Sequence, residues 1–374
     1  MKVVLTAVGQ RTEHWVDLLA QLAARPDLQL DVVLADVSPL TLDGLAAAGV
    51  RFHVVPHVLS EDRTGHMASV VFHPRRLREL ELERPDVVHV IGEAAYLSTT
   101  QVLRWAQRRW PGMRTTHYAA QNVVTRFPFP FPVLERRAYR RIDRMLAITP
   151  AASEVLAAKG YRGPTSIVPL GVDTERFRPA DAAPRDRFTA GFVGRLAPHK
   201  GVDLLLEAAE RVDCDLVVVG DGEQRDLVEA AAIRRPGRVM LHDWVDHDAL
   251  PALLTGMDAL VLPSVELIQR NVLPWIGIPL REQFGRVLVE AMACGVPVVG
   301  AEIGEIPYVI GDAGLLFPAG DAVSLADRLA RLRDDRALAT QLRQLGLHRA
   351  RHQFGWDRIA TQMYEVWQAV VQDS

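Results

Sequence analysis

The sequence predicts two doubly wound α/β domains, each a Rossmann-like parallel sheet with helices between its strands, the carboxyl ends of the two sheets facing a shared cleft. Three observations carry that expectation. At 374 residues the chain exceeds what one hydrophobic core serves, which makes two domains the default. Short apolar runs bounded by turn residues recur along the chain with helical patterns between them, the alternation of βαβ units. A stretch rich in Pro, Ala and charge at 177–187 (FRPADAAPRDR) then divides the alternating series in two, as a linker would.

Taken in order, the first series of strand runs is Val3 to Val8, Leu30 to Leu34, Val50 to Val55, Val87 to Ile91, Arg114 to Ala120, Arg144 to Ile148 and Ser166 to Val168. Helical patterns at Val16 to Ala24, Leu97 to Arg109 and Ala151 to Lys159 fall among them. The second series is Phe188 to Val193, Leu216 to Val219, Val239 to Leu241, Ala259 to Leu262, Val296 to Gly300 and Leu315 to Phe317. A long amphipathic pattern, Trp356 to Val371, closes the chain. The expected domains are therefore 1–180 and 181–350, with 351–374 docking back on the first.

Composition excludes several classes. A net charge of −3 exerts no global pull toward nucleic acid. No run of 18 apolar residues marks a membrane span, and the first residues, MKVVLTAVG, read as a strand with no cleavage site after it. The two cysteines, Cys214 and Cys294, have no metal or redox spacing, which fits a reducing, cytoplasmic setting.

The chemistry concentrates in EQFGRVLVEAMACGVPVVG, residues 282–300. It reads as a Phe284-Gly285 turn, a helix from about Arg286 to Cys294, a Gly295 stop and a buried strand. That helix leaves almost no polar face, so Glu290 needs a partner, either a cation of the protein or the hydroxyls of a ligand. Glu282 precedes a helix start whose free N–H groups can hold an anion. Before it, the strand Phe188 to Val193 runs into Gly194-Arg195-Leu196-Ala197-Pro198-His199-Lys200-Gly201. There Arg195 offers a planar fork and Lys200 a point charge, a pairing suited to a diphosphate. It is not a Walker loop, and no strand leads into Gly-x-Gly-x-x-Gly, which counts against a nicotinamide enzyme. Gly220-Asp221-Gly222-Glu223 reads as a tight turn, and Asp213-Cys214-Asp215 as a solvated strand start rather than a metal site.

The stretches VPLGVDTERFRP (168–179), GFVGRLAPHKGVDLLLEA (191–208), VVVGDGE (217–223), LHDWVDHDALPALLTGMDALVLPS (241–264), EQFGRVLVEAMACGVPVVG and GEIPYVIGDAGLLF (304–317) together resemble glycosyltransferase family 4. The resemblance covers nearly the whole chain and is most specific in its second half. It implies the GT-B fold and transfer of a sugar from a nucleotide diphosphate-sugar, UDP- or GDP-linked, with retention of anomeric configuration and without a metal or other cofactor. By the same resemblance Arg195 and Lys200 hold the diphosphate, Glu290 the ribose hydroxyls and Glu282 a hydroxyl of the donor sugar. Arg195, Lys200 and Glu282 are then the catalytic candidates. Backbone amides at Phe284, Gly285 and Arg286 complete the cradle, Trp244 and Val245 border the base, and Gly194 and Gly9 let backbone approach the phosphates. A GT-B nucleotide-sugar epimerase and a catalytically idle sugar-nucleotide-binding subunit are the alternatives.

On the acceptor side the candidates are Glu93, His117, Gln121, Asn122 and Trp275. Gln121 stands where many relatives carry a His. Trp275 belongs to an apolar segment between Ser264 and Glu282, with Ile276 and Ile278, that suits aglycone recognition or a lid. Arg136, Arg137, Arg140, Arg141 and Arg144, preceded by Phe127, Phe129 and Phe131, suggest an anionic membrane surface as a partner.

Overall fold

The computed structural model describes residues 1–9, 12–59, 69–125, 127–180, 186–270 and 277–373. The chain divides into two compact units, one of residues 1–169 and 356–374, the other of residues 170–355.

The first unit is built on strands β1 (Lys2–Val8), β2 (Gln29–Ala35), β3 (Phe52–Val54), β6 (Val87–Ile91), β7 (Arg114–Ala119), β8 (Arg144–Ala147) and β9 (Thr165–Ile167), with a separate antiparallel pair, β4 (His57–Leu59) and β5 (Val71–Phe72). The seven-stranded sheet is parallel, in the order β3-β2-β1-β6-β7-β8-β9. Its central strands are buried on both faces, which is why they read as continuous apolar runs instead of alternating ones. Helix starts carry their own signals. Thr149 caps the helix Pro150–Ala158 by accepting the Ala152 N–H, with Pro150 at the first helical position.

The last helix, Trp356–Gln372, belongs to this first unit, although it follows the second in sequence. It packs on the helix Val16–Ala23. Trp367 is wholly buried, its indole N–H donating toward Nδ1 of His89 at 3.4 Å, an atom that also lies 2.8 Å from the Thr116 hydroxyl. Tyr364 donates to Asp27 at 2.6 Å, and Arg144 pairs with Asp373 at 3.2 Å.

His89 in β6 and His117 in β7 are fully buried, and burial pushes both imidazoles down to about 3. Both are neutral in the fold, while in the unfolded chain they take up protons below about pH 6.5. Their contribution to stability is thus present above that value and lost as pH falls toward 3. Each histidine should remove about 1.4 kcal/mol per pH unit in that window. Urea midpoints that stay flat between pH 7 and 5 would contradict this.

The second unit repeats the plan with β10 (Thr189–Val193), β11 (Asp215–Val219), β12 (Val239–His242), β13 (Ala259–Leu262), β16 (Val298–Ala301) and β17 (Gly314–Phe317), in the parallel order β12-β11-β10-β13-β16-β17. Between β13 and the helix Arg286–Ala293 the chain forms an antiparallel hairpin, β14 (Leu267–Arg270) with β15 (Gly277–Leu280), where sequence reading sees only an apolar loop. Trp275 and Ile276 lie outside the described residues. The acids of Asp213-Cys214-Asp215 are not merely solvated: Asp213 pairs with Arg187 at 2.7 Å and Arg238 at 3.0 Å, and Asp215 pairs with Arg238, tying the strand start to its neighbours.

In both sheets the strand order reverses beside the first strand of the unit, between β1 and β6 and between β10 and β13. Open α/β sheets hold ligands at the carboxyl ends of the strands at such switch points.

Candidate functional site

At the switch point of the second unit, β10 ends in Val193 and the chain enters the Gly194 loop. A short 3-10 turn, Pro198–Lys200, is closed by Gly201 with φ +68°, after which the helix Val202–Val212 begins. A Cβ on Gly201 would stand 2.1 Å from the Pro263 carbonyl oxygen, so the loop is pressed against the residues that follow β13. Only glycine allows both that conformation and that approach. Lys200 is thereby delivered to Glu282, whose Oε2 lies 2.6 Å from its Nζ and 3.2 Å from the Ser264 hydroxyl.

Glu282 leads into the second structural device. Gly285, at φ +76°, starts the helix Arg286–Ala293, and a Cβ there would meet Leu262 at 2.8 Å. No side chain caps this helix start. Among the described residues the amides of Phe284, Gly285 and Arg286 meet no acceptor, which leaves a row of N–H groups at the positive end of the helix.

One turn into that helix stands Glu290, buried to 4% exposure. Its Oε1 lies 2.9 Å from Nε of Arg286, four residues earlier, and 3.1 Å from Nε2 of His247. Nδ1 of His247 lies 3.0 Å from a guanidinium nitrogen of Arg176. A guanidinium has only donors, so Nδ1 accepts, and Nε2–H is left to donate to Glu290. Burial works against ionisation of Glu290, but the His247 hydrogen bond and the Arg286 charge outweigh it and hold the carboxyl below its usual range.

These groups open into one cavity of about 260 Å³, lined by Gly194, Lys200, Trp244, Val245, His247, Leu250, Glu282, Gly285, Arg286 and Glu290, with Val193, Val219, Leu262 and Val287 behind them. Trp244 is 61% exposed at the rim. Most of the donor-side candidates therefore converge. Arg195 stands apart: it is exposed, does not line the cavity, and among the described residues its guanidinium has no bonding partner. Gly9, in the first unit, closes β1 at φ 106°, and its N–H is donated to the Ala35 carbonyl at 3.3 Å. That amide is taken by the sheet and is not free for a phosphate.

Three side chains went unread in the sequence: that of Arg286, expected to contribute only its backbone amide, and those of His247 and Ser264. The Arg286–Glu290 spacing of four is a local signal for an ion pair on one helix face. His247 and Ser264 carry no such signal, because only folding brings them to the acids.

The acceptor-side candidates lie in the first unit. Glu93 follows β6 and Gln121 and Asn122 follow β7, all partly exposed, while His117 is sealed within β7 with neither ring nitrogen in a well-formed hydrogen bond among the described residues. The basic segment divides. Arg136, Arg137 and Arg140 are exposed, Arg141 is half-buried, and Arg144 is engaged with Asp373 and Ser166.

Two doubly wound units with an anion-receptive helix start beside a buried, cation-held carboxylate define a GT-B-type protein. Comparison with known proteins agrees. The profile of "Glycosyltransferase Family 4" matches residues 12–176, and that of "Glycosyl transferases group 1" matches residues 173–349. Together the two profiles match residues 12–349 and support a family 4-type GT-B glycosyltransferase.

Among curated relatives, a D-inositol 3-phosphate glycosyltransferase of Streptomyces bingchenggensis is 30% identical over 60% of this chain and 52% of its own length. A 2-deoxystreptamine glucosyltransferase of Streptomyces kanamyceticus is 31% identical over 60% of each chain. The chain thus spans 52% to 60% of the length of these relatives. Among solved structures, Anabaena HepE in complex with UDP aligns over 99% of this chain and 100% of its own, with TM-score 0.73 and 18% identity. A glycosyltransferase from Rickettsia africae aligns over 100% and 99%, with TM-score 0.76 and 15% identity.

Proposed function

We propose that this protein is a glycosyltransferase that moves a sugar from a nucleotide diphosphate-sugar to a hydroxyl of an acceptor, binding the donor through the second unit and the acceptor through the first. The observation that carries the reading is the convergence of Lys200, Glu282, Glu290 and an uncapped helix start on one cavity at the second unit's switch point. In this reading the diphosphate lies at the N–H groups of Phe284 to Arg286 and beside Lys200, with the exposed Arg195 closing on it. Cleavage of the glycosyl–phosphate bond builds negative charge on the departing diphosphate, and fixed cations plus a helix start stabilise that charge as it forms. Glu290, immobilised by Arg286 and His247, accepts from the ribose hydroxyls, and Glu282 accepts from the donor sugar. Trp244 and Val245 flank the base. Retention and independence of metal rest on the family resemblance.

The Anabaena neighbours were solved with UDP and with UDP-glucose, which supports a UDP-sugar as the first donor to test. Two of the relatives are named for an inositol phosphate and for 2-deoxystreptamine, an aminocyclitol, which supports a cyclitol as the first acceptor to test. The relatives do not favour the epimerase or idle-subunit readings. For peripheral contact with an anionic membrane, the supporting observation is Phe129, 84% exposed, close in sequence to the exposed Arg136, Arg137 and Arg140. Among the described residues no helix is long and apolar enough to cross a membrane.

Thermal unfolding with UDP, GDP and ADP tests the donor. At 100 times its Kd the true nucleotide should add about 2.7 kcal/mol of stability. Glu290→Gln keeps the shape but loses the charged acceptor, and should weaken that nucleotide at least about tenfold. No stabilisation by any of the three would sink the assignment, and unchanged affinity in Glu290→Gln would remove Glu290 from the site.

A further inference from the structure

The first unit has its own switch point, between β1 and β6, and a mixed charge cluster stands beside it. Glu93 follows β6 at the carboxyl end of the sheet and is partly exposed. Its carboxylate stands beside the Ala120 amide, just past β7. Around it stand Lys159, Glu135 and Tyr139, with His117 behind it in β7. Lys159 is already engaged. Its ammonium is 2.5 Å from Glu135 and 2.6 Å from the Gln121 amide oxygen, and it lies 5.3 Å from the centre of the Phe127 ring.

His117 is kept neutral by burial. Among the described residues the cluster therefore holds two carboxyl groups and one cation, and that cation is closed on Glu135. Burial pushes the Glu93 carboxyl up to about 7, Glu135 pushes the same way, and Lys159 and the Ala120 amide only partly oppose them. A carboxylate at a partly exposed position at the carboxyl end of the sheet, whose described neighbouring cation is already paired with Glu135, can take a cation from outside.

We propose that Glu93 selects an ammonium-bearing polyol, such as an aminocyclitol or amino sugar, its carboxylate forming a charge-assisted hydrogen bond to the ammonium. The inference rests on the glycosyl-transfer reading, in which this polyol is the acceptor. An anionic polyol phosphate is disfavoured at the same place, because it would face Glu93 while Lys159 is spent on Glu135.

Calorimetric titration of the full chain, with UDP bound, tests this with three probes: 2-deoxystreptamine as the cation, inositol as its neutral counterpart and inositol 3-phosphate as the anion. The cation should bind at least about tenfold more tightly than inositol, and Glu93→Gln should bring the two within about threefold. Wild-type affinity for the cation should also rise between about pH 5.5 and 7.5 as Glu93 ionises, and the variant should flatten that rise. Inositol or its phosphate binding as well as the cation, binding of none of the three, or an unchanged preference in Glu93→Gln would each overturn the proposal. If the variant does not fold, the wild-type preference and its pH profile decide alone. UDP binding is measured first: its absence sinks the donor reading, whereas UDP binding without a cation preference sinks only this inference.

Discussion

Lys200→Ala is expected to lower sugar transfer by about 100-fold or more while the chain stays folded. The magnitude follows from removing one fixed positive group aimed at charge that develops in the transition state. That ammonium is held 2.6 Å from Glu282, so the fold itself positions it and it needs little reorganisation to meet a phosphate. The substitution also strips Glu282 of its cation, although the Ser264 hydroxyl stays at 3.2 Å. A stability loss of about 1–3 kcal/mol should accompany the kinetic loss. Steady-state rates with a saturating donor, measured beside a urea unfolding curve, separate the two. Transfer above about a tenth of the wild-type rate would show that Lys200 does not stabilise the departing diphosphate.

Trp367→Ala should cost about 3–5 kcal/mol, the range for deleting a fully buried aromatic side chain. The loss falls on the first unit, because Trp367 lies in the closing helix and its ring packs edge-on to His89 at 5.4 Å between centroids. Urea unfolding followed by hydrogen exchange should show β6, β7 and the closing helix losing protection together, while the sheet around β10 keeps it. A change below about 1 kcal/mol would mean that the helix is only loosely docked.

Much of the architecture was legible because parallel strands buried on both faces must be apolar throughout, a pattern readable without knowing any partner. The runs Val3 to Val8, Val87 to Ile91 and Leu216 to Val219 became β1, β6 and β11 on that ground. Glu290 was legible as a group in need of a partner for a related reason: a carboxylate on a helix with no polar face cannot stay unpaired. The hairpin β14–β15 was not legible, since a short apolar segment reads alike as loop, lid or strand until its register is known, here Leu267 opposite Leu280. Nor were the pairs of Asp213 and Asp215 with Arg238, which depend on two strands lying side by side.

By itself the sequence determined two alternating α/β series, the family they resemble, and a set of acids and cations at strand ends, because periodicity, turn chemistry and local spacing are written along the chain. Tertiary structure alone decided which of those groups meet. It closed Lys200 on Glu282, brought His247 from the loop after β12 to Glu290, left Arg195 exposed, took the Gly9 amide into the sheet and engaged Lys159 with Glu135 instead of Glu93. Such pairings join residues as far as 82 positions apart, and they follow from strand order and backbone approach, neither of which any local stretch encodes.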